Sequence, residues 1–174
     1  MQTKIMPAES KRFYSSLAFL RMSVGIVYLW FGALKYFQGV SPAEFMAIQT
    51  IHRLTFGVIP DQASIIMLAT WECAIGFLFI IGKFTKQCLV LMLLHMVCTF
   101  TPIFFFPDEI FFKIPFQLTL TGQYIIKNIV FISAGIVLWN TEKLKEKQQE
   151  YPVVNPAQGS TKIIELAKQA EVVK

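Results

Sequence analysis

The sequence predicts an all-α membrane protein, a four-transmembrane-helix bundle with an extra amphipathic helix between the first and second spans. The first observation behind this fold is the presence of four apolar segments, each close to the roughly 20 residues that a helix needs to cross a bilayer core. These segments are residues 17–37, 63–82, 87–106 and 122–139. The second observation is composition, since 55% of the residues are hydrophobic and the mean hydropathy is +0.54.

The distribution of positive charge predicts the orientation of the spans. Eleven Lys and Arg residues fall on one side of the predicted membrane: Lys4, Lys11, Arg12, Lys83, Lys86, Lys143, Lys145, Lys147, Lys162, Lys168 and Lys174. The two loops on the other side carry only Arg53 and Lys113. The positive-inside rule then places both termini in the cytoplasm, with a lead-in (1–16), a transmembrane domain (17–140) and a charged tail (141–174). The net charge of +5 is therefore a topology signal, and we expect no nucleic-acid partner.

The first span is expected to remain as a helix. It is too long for the apolar region of a signal peptide, and it lacks a small-residue cleavage site. Arg21, Gly25, Tyr28, Gly32 and Lys35 recur along it at spacings of four and three, which places them on one helix face. Glycines on that face allow a neighbouring helix to approach closely. The two charges therefore face the other helices and not the lipid.

A short helix is predicted after the first span. Ser41-Pro42-Ala43-Glu44 is a capping box with proline at the first helical position, which is typical of a helix start. Apolar residues follow near one face: Phe45, Ile48, Ile51 and Leu54. The segment is too short and too polar to span a bilayer, and it ends before Gly57. We expect an amphipathic helix on the outer membrane surface or capping the bundle.

The other three spans also contain polar residues within apolar sequence. They are Glu72 in the second span, His95 in the third, and Gln123, Lys127 and Asn128 in the fourth. A charge near the bilayer centre costs several kcal/mol unless it is paired or hydrated. Together with Arg21 and Lys35, these residues are predicted to form an intramembrane polar cluster that binds a ligand. Gly25, Gly32 and Gly76 are predicted to serve helix packing.

The pairing inside this cluster can be estimated from a helical rise of about 1.5 Å per residue. Glu72 and His95 then lie near the midplane and Lys35 near the outer boundary, so Glu72 is expected to pair with Arg21, Lys127 or both. One carboxylate cannot neutralise all three cations, and the surplus charge favours an anionic or electron-rich ligand. The alternatives are that Lys35 and Arg21 extend to the headgroups, that Glu72 and Lys127 form a structural ion pair, and that His95 is a hydrogen-bonded packing residue.

Three further patterns bear on local structure. Pro102 is expected to bend or fray the end of the third span. Phe116, Leu118 and Leu120 alternate with polar residues, which predicts a short extended piece. Residues 162–173 carry apolar side chains at helical spacing. The three cysteines, Cys73, Cys88 and Cys98, form no C-x-x-C pair, and we expect them to pack as apolar residues without a metal site.

Several segments resemble the DoxX-like family of small four-helix bacterial inner-membrane proteins, in particular its YkgB-type branch. They are Arg21 to Lys35 with its Leu29-Trp30-Phe31-Gly32 run, Ser41-Pro42, Trp71-Glu72 with Gly76, and Leu118 to Asn128. The resemblance covers about residues 17–140 and implies intramembrane polar residues at Arg21, Lys35, Glu72, Lys127 and Asn128. Relatives are linked to quinone-coupled oxidation of small sulfur species, to oxidant resistance, and to chaperone-like roles in membrane assembly.

This resemblance favours an accessory subunit of an oxidant-defence or quinone-linked redox system in the bacterial inner membrane. We expect no catalytic activity of the chain alone, a quinone as the candidate cofactor, and as partners the lipid bilayer with a further membrane protein or a second copy. A small-anion or proton carrier or channel is the alternative, although no pair of spans shows the broken-helix symmetry of transporters. A purely structural membrane interaction or assembly protein is the third interpretation.

Overall fold

The computed structural model describes residues 8–150, with side chains described for residues 12–146. Eight helices and one β-hairpin follow one another in this part of the chain. They are α1 (Ala8–Leu34), α2 (Glu44–Leu54), α3 (Asp61–Ile81), α4 (Thr85–Phe100), α5 (Pro102–Phe105), α6 (Pro107–Ile110), β1 (Phe111–Lys113), β2 (Gln117–Leu118), α7 (Leu120–Ile126) and α8 (Asn128–Glu150). The chain divides into two compact units, Met1–Asn140 and Thr141–Lys174.

The prediction of four helices long and apolar enough to cross a membrane is confirmed. Among the described residues, four stretches are long and apolar enough to span a membrane: Arg12–Leu34, Asp61–Ile81, Thr85–Phe105 and Leu120–Glu146. Large apolar side chains such as Phe19, Trp30 and Val97 are exposed along them, which fits contact with lipid. These features fit an integral, multi-pass membrane protein.

The main apolar core combines side chains from four long helices. Its buried members come from α1, α3, α4 and α8: Val24, Tyr28, Ile75, Phe79, Cys88, Leu89, Met92, Met96, Ala134 and Leu138. The contact between α1 and α3 is close because glycines lie in it. A Cβ atom on Gly76 would lie 2.7 Å from the Gly25 carbonyl oxygen and 2.5 Å from the Leu29 nitrogen, and one on Gly32 would lie 2.9 Å from the Cys73 nitrogen. Only residues without a side chain permit this separation.

The third and fourth spans are each interrupted near the predicted outer side. Pro102 has no N–H, so the carbonyl of Cys98, four residues earlier, loses its helical donor. Thr101 supplies a replacement, since its Oγ1 donates to the Cys98 carbonyl oxygen at 2.7 Å. In the fourth span the helix breaks at Lys127, between α7 and α8.

A hairpin and a capped helix start lead into the fourth span. Strand β1 pairs antiparallel with β2, so the expected extended piece is present at Gln117–Leu118 but ends before Leu120, where α7 begins. Thr119 then caps α7, because its Oγ1 accepts from the Gly122 N–H at 3.1 Å and donates to the Glu109 carbonyl oxygen at 2.7 Å. The chain approaches itself closely here, since a Cβ atom on Gly122 would lie 2.3 Å from the Ile110 carbonyl oxygen. These contacts fix the position from which Lys127 and Asn128 extend.

The prediction of a capping box at residues 41–44 was wrong, although the predicted helix follows this segment. Helix α2 begins at Glu44, with Ala43 as its N-cap and no side-chain cap. The Glu44 carboxylate instead accepts from the Gly39 N–H at 2.7 Å, in a turn where Gly39 has φ +75°. The hydroxyl of Ser41 is buried and makes no hydrogen bond within the described residues. The tight turn after α1 offers the Glu44 carboxylate this earlier N–H, which replaces the reciprocal bond of a capping box.

The unit that begins at Thr141 is described as far as Glu150. Its described residues include an ion pair between Lys145 Nζ and Glu142 Oε1 at 2.6 Å. The predicted helical pattern at residues 162–173, the rest of the tail, and residues 1–7 of the lead-in lie outside the described residues.

Candidate functional site

A cavity of about 470 Å³ lies among α1, α2, α3, α4, α7 and the start of α8. That volume falls within the range of pockets that bind small molecules. Most of its wall is hydrocarbon and aromatic ring, including Phe31, Leu68, Met96, Tyr124 and Phe131. The polar side chains in the wall are few: Tyr28, Lys35, Thr50, Glu72, His95, Thr99, Thr121, Lys127 and Asn128. The cavity therefore combines an apolar interior with a few placed polar groups.

Lys35 and Glu72 form a buried ion pair in this wall. Lys35 follows the last residue of α1, and Glu72 lies near the middle of α3. The Lys35 Nζ donates to Glu72 Oε2 at 2.6 Å and to the Phe31 carbonyl oxygen at 3.3 Å, and the two charged side chains are 7% and 9% exposed. The expectation that Glu72 pairs with Arg21 or Lys127 was wrong, and so was the alternative that Lys35 reaches the headgroups.

His95 and Tyr28 extend this pair into a chain of polar groups. His95 Nε2 lies 3.6 Å from Glu72 Oε1, and His95 Nδ1 lies 3.4 Å from the Tyr28 hydroxyl. His95 thus lies within the polar cluster, and its contact with Tyr28 also fits the alternative of a hydrogen-bonded packing residue. Tyr28 was absent from the predicted site residues, although its place on the face shared by Arg21 and Lys35 was the signal that could have identified it.

Lys127 lies against aromatic rings and not against a carboxylate. Its ammonium is 3.7 Å from the centre of the Tyr124 ring and 5.2 Å from that of Phe31. A cation over an aromatic face is attracted by the ring quadrupole. The residue lines the cavity and is exposed. Sequence reasoning missed Tyr124 and Phe31, because an aromatic residue in an apolar span carries no separate signal.

Asn128 lines the cavity and is hydrogen-bonded to Thr99 of α4, in the third span. Its Nδ2 donates to Thr99 Oγ1 at 3.3 Å, and Thr99 Oγ1 itself donates to the Met96 carbonyl oxygen at 2.8 Å. The structure therefore brings together five of the predicted site residues in one cavity wall: Lys35, Glu72, His95, Lys127 and Asn128.

Arg21 and Gln123 do not line the cavity. The Arg21 guanidinium donates to the carbonyl oxygens of Phe79 and Ile80 at the end of α3. The last carbonyls of a helix have no partner within the helix and attract cations. Arg21 lies 14 residues before Lys35, about 21 Å along α1 at 1.5 Å per residue, which explains its distance from Glu72. Gln123 is exposed on α7 and is not among the residues that line the cavity.

One wall of the cavity comes from α2, which sequence reasoning did not assign to the site. Its lining residues are Met46, Ala47, Thr50, Ile51 and Leu54. Met46 and Thr50 are buried, whereas Phe45 on the opposite side is 65% exposed. The face of α2 that was expected to contact the membrane surface or cap the bundle thus includes residues that close the cavity.

The arrangement suits binding of an uncharged or singly negative molecule with an apolar body. Glu72 neutralises Lys35, so Lys127 remains as the one lysine in the cavity wall without a carboxylate contact among the described residues. No three His, Cys, Asp or Glu side chains in the described part of the chain lie close enough together to hold a metal ion. Comparison of this chain with protein-family models, curated proteins and solved structures finds no match.

Proposed function

We propose that this chain is an inner-membrane protein that binds a quinone in its cavity, as an accessory subunit of a quinone-linked or oxidant-defence redox system. The observation that carries the proposal is a cavity among helices long and apolar enough to span a bilayer, with Lys35, Glu72 and Lys127 in its wall. Ionisable residues at membrane depth are expensive and mark functional sites by default. A ligand that reaches such a cavity from the bilayer is lipid-soluble.

The lining of the cavity favours a flat ring that carries oxygen atoms. The rings of Tyr124, Phe31 and Phe131 offer faces and edges for stacking. Lys127 and Asn128 offer donors for a carbonyl oxygen. A quinone combines such a ring, such oxygens and an apolar tail. The resemblance to the DoxX-like family supports the redox association by analogy.

The proposal includes an arrangement in the membrane. The four spans form a bundle, both termini lie in the cytoplasm, and α2 lies as an amphipathic helix at the outer surface, where it closes the cavity. The burial of Met46 and Thr50 against the exposure of Phe45 supports this place for α2. A second membrane protein or a second copy of the chain would complete the assembly.

Binding of a lipid-soluble quinone tests this function directly. The purified protein in lipid nanodiscs is heated with increasing decylubiquinone, and the unfolding midpoint is recorded. A ligand at about 100 times its Kd stabilises the folded state by about 2.7 kcal/mol, so the midpoint should rise with concentration. Lys127→Met should weaken the affinity roughly tenfold to a hundredfold, since a hydrogen bond to a charged group contributes about 1.5–3 kcal/mol.

A matched control removes an ammonium outside the cavity. Lys113 is exposed on β1 and does not line the cavity, so Lys113→Met should bind decylubiquinone as the wild type does. An unchanged midpoint at every quinone concentration contradicts the proposed function.

One observation favours a second function, binding and passage of a small anion. The ammonium of Lys127 has no carboxylate contact within the described residues, so the cavity wall carries a surplus positive charge. Stabilisation of the wild type by nitrate and not by decylubiquinone, lost in Lys127→Met, would support this function in place of the first. An unfolding midpoint that neither decylubiquinone nor nitrate changes would favour a purely structural role for the Lys35–Glu72 pair.

A further inference from the structure

One oxygen of the Glu72 carboxylate lacks a hydrogen-bond donor. Its Oε2 accepts from Lys35, whereas its Oε1 accepts no hydrogen bond within the described residues. The side chain is nine-tenths buried and lines the cavity. An acceptor that loses its water to an apolar ligand without gaining a donor is destabilised, and more strongly when it is charged. A ligand that fills the cavity therefore gains by bringing a donor to this oxygen.

His95 does not meet that need. Its Nε2 is 3.6 Å from Oε1, which exceeds the 2.7–3.2 Å range of N–H···O hydrogen bonds. The other ring nitrogen, Nδ1, faces the Tyr28 hydroxyl at 3.4 Å. The imidazole and the phenol lie side by side near the carboxylate, and neither donates to Oε1, whose lone pairs remain for a group inside the cavity.

Lys127, by contrast, has donors without an acceptor among the described residues. Its ammonium carries three donors. Its contacts in the described part of the chain are the Tyr124 and Phe31 rings, which attract the charge without accepting a conventional hydrogen bond. A ligand in the cavity can therefore donate a hydrogen bond to Glu72 Oε1 and accept one from the Lys127 ammonium.

We propose that the cavity binds the reduced, hydroxyl-bearing form of its ring ligand more tightly than the oxidised form. A hydroquinone hydroxyl donates to Glu72 Oε1, and Lys127 donates to a ligand oxygen. A quinone carbonyl has only lone pairs, so it cannot donate to the Glu72 carboxylate and is repelled by it. This preference rests on the proposed function, and it assigns Glu72 as the residue that distinguishes the two redox states.

The preference has a measurable consequence for the ligand's potential. Tighter binding of the reduced form raises the midpoint potential of the bound couple. For a two-electron couple a tenfold preference corresponds to about 30 mV. We expect at least a tenfold preference for the hydroquinone, because a hydrogen bond to a charged acceptor contributes about 1.5–3 kcal/mol.

The test compares the two redox forms of one probe. Decylubiquinone and decylubiquinol are titrated separately, the second under anaerobic conditions, into the full chain in nanodiscs, and the ratio of the two Kd values is recorded. The wild type should favour decylubiquinol, and Glu72→Gln should bring the ratio close to one. Lys127→Met should weaken the binding of the quinone more than that of the quinol, so its ratio moves away from one. Lys113→Met should retain the wild-type ratio.

A ratio that Glu72→Gln leaves at the wild-type value overturns the assignment, and so does equal binding of both forms by the wild type. Either result leaves the proposed function standing, because the quinone still binds. Binding of neither form by the wild type would instead reject the proposed function. If Glu72→Gln does not fold, the double variant Lys35→Met/Glu72→Met removes both charges of the buried pair, and its ratio should likewise fall to about one.

Discussion

At the scale of single residues, the Lys35–Glu72 contact has the largest expected effect on stability. Removing one partner of a buried ion pair leaves an uncompensated charge, which costs about 3–5 kcal/mol. We therefore expect Glu72→Ala to lower the free energy of unfolding in detergent by about this amount. The double variant Lys35→Met/Glu72→Met should regain most of the loss, since no charge is then left buried alone.

The control for this double-mutant comparison pairs Glu72 with Lys127 in place of Lys35. The Lys127 ammonium contacts rings and not Glu72, so Glu72→Ala and Lys127→Met should have additive effects on the unfolding free energy. A coupling energy of several kcal/mol between Glu72 and Lys127, with none between Glu72 and Lys35, would contradict the pairing in the structure.

Of the predicted charges, Lys35, Glu72 and Lys127 share a cavity and Arg21 lies outside it, but the sequence did not predict which of them pair. Helix geometry explains the error. The Cα–Cβ bonds of a helix tilt toward its N-terminus, so a long side chain places its charge closer to the N-terminus than its Cα atom. The ammonium of Lys35 accordingly extends back to the Phe31 carbonyl and to Glu72. The same tilt moves the Arg21 guanidinium away from Glu72 toward the end of α3.

At the scale of elements, the contact of α1 with α3 depends on glycine. The methyl group of Gly76→Ala would meet the backbone of Leu29 and Gly25, which cannot move aside as a flexible side chain does. Overpacking of this kind costs typically 1–3 kcal/mol. We expect Gly76→Ala to lower the unfolding midpoint clearly. Ala74→Val adds bulk to an exposed position of the same helix and should change the midpoint little. Equal midpoints for the two variants would contradict the close contact.

The sequence predicted the helices better than their surroundings. The four spans follow from hydropathy, and the break near Pro102 follows from its missing N–H. The role of α2 in the cavity wall could not be predicted, because it depends on long-range packing with α3 and the segment after α4. The start of α2 was misplaced since Glu44 binds the Gly39 N–H in a turn that only the folded chain forms.

At the scale of the whole molecule, the cavity itself was beyond sequence reasoning. Residues that face lipid and residues that face a neighbouring helix are equally apolar in a membrane span, so Phe31 or Phe131 carries no mark of its place in the wall. Charged residues are the exception, because their cost in hydrocarbon restricts them to the interior or the interface. For this reason Lys35, Glu72 and Lys127 were found from the sequence, and Tyr124 was not.

The orientation in the membrane gives the last prediction. Eleven Lys and Arg residues on one side against two on the other favour a cytoplasmic location for both termini. A reporter that is active only in the periplasm should therefore be active when fused at Gly39 or Glu109. A reporter that is active only in the cytoplasm should be active when fused at Lys83 or Gln158. Replacing Lys83 and Lys86 by Gln removes the positive charge between α3 and α4 and at the start of α4, and should raise the fraction of inverted molecules, whereas Lys113→Gln should not. A cytoplasmic reporter at Gly39 would reject the four-span orientation, because it would place the end of α1 on the same side as its start.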